Sequence, residues 1–106
     1  MTSLEKVNIP DGVKKIGVNA FANCTNLKNI TIPSSVVEIS DRAFYMTGLT
    51  EITIPSSVKK IGSHAFELCK NLEKVELDFE NTEVGVSTFE QTKFSEKVYA
   101  ENNGFF

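Results

Sequence analysis

Large apolar side chains recur along this chain in four segments that begin at Leu4, Leu27, Leu49 and Leu72, spaced 23, 22 and 23 residues apart. The first three segments share six apolar offsets, which in the second are Leu27, Ile30, Ile32, Val36, Ile39 and Phe44. The fourth segment keeps five of them and has Asn81 in place of a valine. One unit cannot bury enough apolar surface to offset the entropy of ordering its chain, so the repetition predicts a solenoid of stacked units with Phe21, Phe44, Phe66 and Phe89 in one column.

Each segment begins with a pattern typical of a short strand. β-branched residues stand two apart, as in Val7 and Ile9, and a proline follows in the first three segments. Proline cannot donate a ladder hydrogen bond, so we expect these strands to end at Ile9, Ile32 and Ile54. Stacking then places parallel strands along one side of the solenoid.

Behind the strands the spacing changes to that of a helix. Ile16, Ala20 and Cys24 are four residues apart, and the second and third segments repeat this spacing. Gly17, at the start of the stretch, is a tolerable helix N-cap, as are its counterparts in the other segments. The pattern predicts one or two helical turns in each unit.

We expect a single domain of 106 residues. Its repeats are residues 4–26, 27–48, 49–71 and 72–93, and residues 94–106 form a C-terminal cap or a truncated further repeat. The cap interpretation depends on a set of apolar residues that could cover the end of the core: Phe94, Val98, Tyr99, Phe105 and Phe106. No comparable cap precedes Leu4. We therefore expect an excised C-terminal portion of a longer repeat protein, with an open N-terminal edge that favours weak self-association.

Charge excludes two classes of partner. The net charge is −3 and the pI is about 5.1, which argues against nucleic acid and anionic bilayers. No apolar run approaches the roughly 18 residues of a membrane span, so we expect no membrane insertion. Within residues 67–90 acids outnumber bases by seven to two, whereas bases prevail slightly in residues 1–66.

The chain offers little chemistry for catalysis. Cys24 and Cys69 share one offset two repeats apart, roughly 9 to 10 Å at about 4.8 Å per step, which is too far for a disulfide. We interpret them as small buried ladder residues rather than as a disulfide or a metal site. His64 is the sole histidine, and its counterparts vary as at a solvent-facing position. Without a phosphate loop, a Ca²⁺ loop or a carboxylate pair, we predict no enzyme, no catalytic, metal or cofactor-binding residue and no cofactor.

The unit L-x-x-[IV]-x-I-P-x-x-V-x-x-I-[GS]-x-x-A-F-x-x-[CT] resembles the BspA-like branch of leucine-rich repeats over residues 4–93. The place of the usual Asn spine holds Gly12, Ser35, Ser57 and Glu80, which fits that branch. The resemblance implies an α/β repeat solenoid: an arc with short parallel strands on the concave face and extended or short helical turns behind. It also implies a non-catalytic interaction module, with adhesion by secreted or cell-surface chains.

The outward strand residues are then the candidate partner-binding face, here named the strand face: Lys6, Asn8, Asn29, Thr31, Glu51, Thr53, Lys74 and Glu76. The expected partner is a protein, from a host or an extracellular matrix, or a glycan. The alternative function is a structural spacer or self-associating array that uses the open N-terminal edge. Cell surface or secretion is the expected location from the resemblance, with the cytoplasm as the alternative.

Overall fold

The computed structural model describes residues 5–96. We name residues 5–26, 27–48, 49–71 and 72–92 the first to fourth coils. Six short strands lie in them: β1 (Lys15–Ile16), β2 (Glu38–Ile39), β3 (Glu51–Thr53), β4 (Lys60–Ile61), β5 (Lys74–Glu76) and β6 (Glu83–Val84). Residues 93–96 add a helical turn after the fourth coil.

The first parallel layer is the one that the proline-terminated pattern predicts. β3 pairs with β5, with Ile52 opposite Val75, and an isolated parallel bridge joins Asn8 to Thr31 in the first two coils. β3 ends one residue before Ile54 and two before the proline. The inward residue Ile52 is buried between two exposed neighbours, so the period of two holds.

A second parallel sheet, of order β1-β2-β4-β6, lies outside the sequence prediction. Its strands are only two residues long, with an outward charged residue followed by an inward aliphatic one. In the first coil these are the exposed Lys15 and the buried Ile16. Two residues are too few for an alternation to be visible in a sequence, and Val13 and Ile16 stand at a spacing that also suits a helix.

The turns behind the strands are not helical, so the prediction of helical turns after Gly17, Ser40, Gly62 and Gly85 is wrong. Each coil instead has two residues with positive φ four positions apart, such as Asn19 at 59° and Asn23 at 66°. The N–H groups of Asn19, Phe21 and Asn23 donate to carbonyls of the next coil, and those between them donate within their own coil. Residues other than glycine rarely adopt a positive φ, and this ladder between coils stabilises them in it.

The predicted phenylalanine column is confirmed. Phe21 and Phe44 have ring centroids 5.3 Å apart, Phe44 and Phe66 5.1 Å, and Phe66 and Phe89 5.5 Å. The rings are within 17° of parallel, and Phe44 and Phe66 are fully buried. Further columns of leucine, isoleucine and valine complete a continuous core.

Gly48 explains why the second coil is one residue shorter than its neighbours. The chain passes from Thr47 to Leu49 through this residue alone, where the first coil uses two residues between Cys24 and Leu27. Gly48 donates to the Cys24 carbonyl oxygen, and a Cβ there would overlap the backbone of Thr25. Only glycine makes this short connection without displacing the adjacent coil.

In the fourth coil, a turn stabilised by hydrogen bonds to the Asp78 side chain replaces the proline turn. Asp78 accepts from the Glu80 N–H at 3.1 Å and from Asn81 Nδ2 at 2.7 Å. The hydrogen bond from Asn81 lowers the pKa of this exposed carboxyl. Thr88 stands where other coils have alanine, and its hydroxyl donates to the carbonyls of Gly62 and Gly85. The three departures of this coil from the repeat are therefore accommodated by hydrogen bonds.

Two aromatic rings meet Phe89 edge-on at the end of the column. Phe94 lies 5.3 Å from it at 68°, and Phe79 lies 6.5 Å away at 65°. Phe94 thus contacts the end of the core, and the cap formed by residues 94–106 stays a prediction. Val98, Tyr99, Phe105 and Phe106, which that hypothesis also invokes, lie outside the described residues.

Candidate interaction surface

The structure brings the predicted strand face together on one side of the solenoid. All eight of its side chains are exposed, and they alternate with buried or half-buried aliphatic residues of the core: Val7, Ile30, Ile52 and Val75. The backbone pairings Asn8 with Thr31, Glu51 with Lys74 and Thr53 with Glu76 join neighbouring members of the set. The face is therefore a polar surface fixed to a packed core, and its role in binding stays a prediction.

The charges of this face are mixed. Glu51 stands beside Lys74 across the β3–β5 pairing, and Thr53 stands beside Glu76. Lys6 lies in the first coil, whereas the second coil contributes only the uncharged Asn29 and Thr31. A partner therefore meets separate cationic and anionic positions set on a nearly neutral surface, and not one continuous charged patch.

A shallow depression of about 720 Å³ lies at the start of the face, across the first two coils. Its lining includes Lys6, Asn29 and Thr31 of the predicted set and adds Asn26 and Lys28. Sequence reasoning missed these two because they precede the strand. Lys28 directly follows Leu27, the first residue of its segment. The same offset in the other segments holds Glu5, Thr50 and Glu73, and this outward column is the signal that could have located Lys28.

The second sheet carries a ladder of alternating charge, which we name the charge ladder: Lys15, Glu38, Lys60 and Glu83. Lys15 Nζ lies 3.5 Å from Glu38 Oε2, with both side chains partly exposed. The sheet register thus gives each of these lysines a glutamate neighbour of opposite sign. An exposed pair of this kind contributes about 0.2 to 1 kcal/mol, and like charges at the same places would oppose the register.

A groove of about 880 Å³ lies on the outer side of the fourth coil. Phe79, Val84 and Phe89 supply its apolar lining, and Phe79 is 55% exposed. The segment from Ser87 to Gln91 runs along it, and Ser95 and Glu96 form its far side. This groove, at the end of the phenylalanine column, was not foreseen from the sequence.

The two cysteines are free and buried, as the ladder interpretation predicts. Cys69 Sγ donates to the Phe44 carbonyl oxygen at 2.9 Å and lies 3.0 Å from Thr47 Oγ1, so Thr47 continues the same column. Burial raises the pKa of the Cys69 thiol. A protonated, enclosed thiol is a poor nucleophile.

His64 is half-buried, with 30% of its side chain exposed, and so faces solvent only in part. Its Nδ1 lies 3.2 Å from Glu67 Oε2, three residues further along the chain. Its backbone has φ 61° and donates to the Val86 carbonyl oxygen. Within residues 5–96 no three His, Cys, Asp or Glu side chains come together in a way that could hold a metal ion. The same residues include no helix with the length and apolarity needed to cross a bilayer.

A sequence profile described as "BspA type Leucine rich repeat region" matches six times within residues 1–105. No curated protein sequence matches the chain significantly. Solved structures do match. A leucine-rich repeat protein from Bacteroides ovatus has a TM-score of 0.79 and 38% identity over 85% of this chain, which spans 24% of that one.

A leucine rich cell surface protein from Faecalibacterium prausnitzii has a TM-score of 0.67 and 42% identity over 68% of this chain. The chain spans 19% of its length. The pneumococcal vaccine antigen PcpA, at 24% identity and a TM-score of 0.63 over 83% of this chain and 28% of its own, shares the fold. The profile match over almost the whole sequence and the stacked coils agree: the chain belongs to the BspA type leucine-rich repeat family.

Proposed function

We propose that this chain is a non-catalytic protein-interaction module that binds its partner through the strand face. The observation that supports this most is the exposure of all eight polar side chains on one side of a parallel layer whose inward residues are packed in the core. Such a surface is preorganised, so little conformational entropy is lost on binding. The proposed partner is a protein, from a host or an extracellular matrix, or a glycan.

The proposed setting is a bacterial-type cell-surface or secreted adhesion protein. Family membership supports an interaction role, and the similar protein from Faecalibacterium prausnitzii is described as a cell surface protein. This chain spans less than a third of each matched structure, so the proposed binding is that of these four coils and not of a whole matched protein.

Four coils alone should bind weakly. The eight side chains of the strand face include no Trp, Tyr, Phe or Arg, which are the residues that most often dominate interface energies. Affinity then comes from displaying many copies, because linked sites raise the effective concentration of the second binding event. The binding experiment should therefore present the chain in a tetravalent form.

The test is charge reversal at the four charged positions of the strand face, K6E/E51K/K74E/E76K. The net charge stays at −3, so any loss of binding reflects the arrangement of charges rather than their sum. Biotinylated protein on streptavidin is applied to a glycan array and to a panel of purified extracellular-matrix proteins. We expect binding of the unaltered chain to at least one class, and its loss in the variant.

A matched control is available on the other sheet. The variant K15E/E38K/K60E/E83K also keeps the net charge and inverts the charge ladder while preserving its alternation. It should bind like the unaltered chain. Equal loss in both variants, or equal retention in both, would contradict the assignment to the strand face and would favour the alternative of a spacer or self-associating array.

A further inference from the structure

The first two coils share the shallow depression of about 720 Å³ on the strand face. Residues 5–7 of the first coil and residues 26 and 28–31 of the second line it, and the parallel bridge between Asn8 and Thr31 joins the two coils beside it. The depression therefore lies on the side of the solenoid, between two coils. Its volume is within the range of about 300 to 1,000 Å³ that small-ligand sites occupy, so it fits a small molecule or one unit of a longer polymer.

Two lysines without an anionic partner line this depression. Lys6 and Lys28 come from different coils and are both exposed. The ion pairs among residues 5–96 involve Lys15 and His64, so neither lysine of the depression is neutralised within the described structure. Glu5 is the one acidic residue among the described lining residues, which leaves an excess of positive charge. An ammonium group only donates hydrogen bonds, so its complement is an anion.

The charges along the rest of the strand side direct an anion to this place. In the third and fourth coils the exposed acids on this side outnumber the bases by three to one: Glu51, Glu73 and Glu76 against Lys74. In the depression the lysines outnumber the acid by two to one. An anionic group is therefore attracted to the first two coils and repelled by the other two.

The uncharged residues of the lining suit a sugar. Asn29 and Thr31 are exposed, and their amide and hydroxyl groups both donate and accept hydrogen bonds, as sugar hydroxyls do. Val7 and Ile30 are half-buried and pack against the core, so they offer a small apolar surface to the C–H face of a sugar ring. An extended peptide would instead need pockets for its alternate side chains, and no described lining residue is aromatic.

We propose that this depression binds a saccharide that carries an acidic group, a carboxylate or a sulfate. The ammonium groups of Lys6 and Lys28 pair with the acid, and Asn29 and Thr31 form hydrogen bonds with ring hydroxyls. The proposal rests on the proposed function, because it names the chemistry of the partner for one part of the strand face. It also adds Lys28, which the predicted face does not include, to the binding residues.

NMR titration of the ¹⁵N-labelled chain tests the ligand class. The probes are trigalacturonate, which carries carboxylates, its uncharged methyl ester, and N-acetylglucosamine 6-sulfate. We expect saturable amide shifts at Lys6, Lys28, Asn29 and Thr31 with at least one anionic sugar and no saturable shifts with the ester. The anionic sugar that binds identifies the acidic group. Equal shifts with the ester, or shifts centred on other coils, would overturn the proposal.

Two charge-matched variants test the binding residues. K6Q/K28Q should bind the anionic sugar about three- to thirtyfold more weakly, as expected for the loss of two exposed ion pairs. K59Q/K60Q removes the same charge from exposed lysines outside the depression and should bind like the unaltered chain. Equal weakening in both variants would show attraction to overall charge alone and would overturn the proposal. The amide spectra also report whether each variant is folded.

Hexaglutamate is the competing ligand, because an acidic peptide carries the same charge without a sugar ring. It should bind more weakly than the anionic sugar. Stronger binding of hexaglutamate that is lost in K6Q/K28Q would assign the depression to acidic peptides and overturn the saccharide.

The variant E51K/K74E separates this proposal from the proposed function. It keeps the net charge and changes only the third and fourth coils, so it should bind the anionic sugar like the unaltered chain. A chain that binds neither anionic sugar but still captures a matrix protein through the strand face would overturn this inference and leave the proposed function standing. Binding of the sugar by a chain that captures no array partner would support this inference and contradict the wider function.

Discussion

At the scale of single residues, the structure depends on side chains that pack against the same type of residue in the next coil. Phe44 is the clearest case, because it stacks on Phe21 at 5.3 Å and on Phe66 at 5.1 Å and is fully buried. Sequence reasoning predicted this column because the offset of phenylalanine is shared by all four segments. It could not give the degree of exposure of His64, because the variety of residues at an offset indicates tolerance and does not measure exposure.

Phe44→Ala should lower the free energy of unfolding by about 3 to 5 kcal/mol, since it removes a ring from between two others and leaves a cavity. Urea titration followed by circular dichroism measures the change. Phe79→Ala is the control, because Phe79 is 55% exposed, and it should cost less than about 1 kcal/mol. An unchanged midpoint for Phe44→Ala would contradict the proposed core.

Cys69 should make the protein less stable in alkaline solution. Burial raises the pKa of its thiol above the ordinary value of 9.0, so the unfolded chain loses this proton at a lower pH than the folded chain. The contribution of this thiol to the free energy of unfolding is full below pH 9.0, and it is lost as the pH rises through the raised pKa of the folded state. The decline in unfolding free energy above pH 9.0 should be smaller in Cys69→Thr, which places the residue of the second coil in this column. Equal decline in both proteins would count against a buried, protonated thiol.

At the scale of elements, the strand layer of β3 and β5 could be predicted and the second sheet could not. Alternation before a proline marks the first layer, whereas the two-residue strands of the second leave no periodic trace. The turns were misread because residues with positive φ recur every four positions, as Asn19 and Asn23 do. This recurrence places Ile16, Ala20 and Cys24 four positions apart, as in a helix, although the turns are not helical.

Gly48→Ala should destabilise the protein by about 1 to 3 kcal/mol, because the added methyl group overlaps the Thr25 backbone, which belongs to a packed coil. Gly17→Ala is the matched control, since a Cβ there meets no atom within 4 Å. Its effect should stay within about 0.5 kcal/mol. Thermal unfolding compares the two variants, and equal melting temperatures would show that the short connection of the second coil does not require glycine.

At the scale of the whole molecule, stacking identical units produces two kinds of surface. The sides repeat, and the eight residues of the strand face could be located from the sequence because outward positions alternate with core positions. The outer side of the fourth coil does not repeat, because Phe79 and Phe94 meet Phe89 edge-on there. The groove beside these rings depends on how Phe79 and the turn at residues 93–96 are placed, which no residue pattern encodes, so it emerged only from the structure.

The stacking of coils is tested most directly by nuclear Overhauser contacts between the rings of selectively labelled phenylalanines. Contacts are predicted for Phe21 with Phe44, Phe44 with Phe66, and Phe66 with Phe89, and none between Phe21 and Phe66, which are separated by an intervening ring. Rings that show no contact with one another, or a contact between Phe21 and Phe66, would contradict the stacked coils and every surface derived from them.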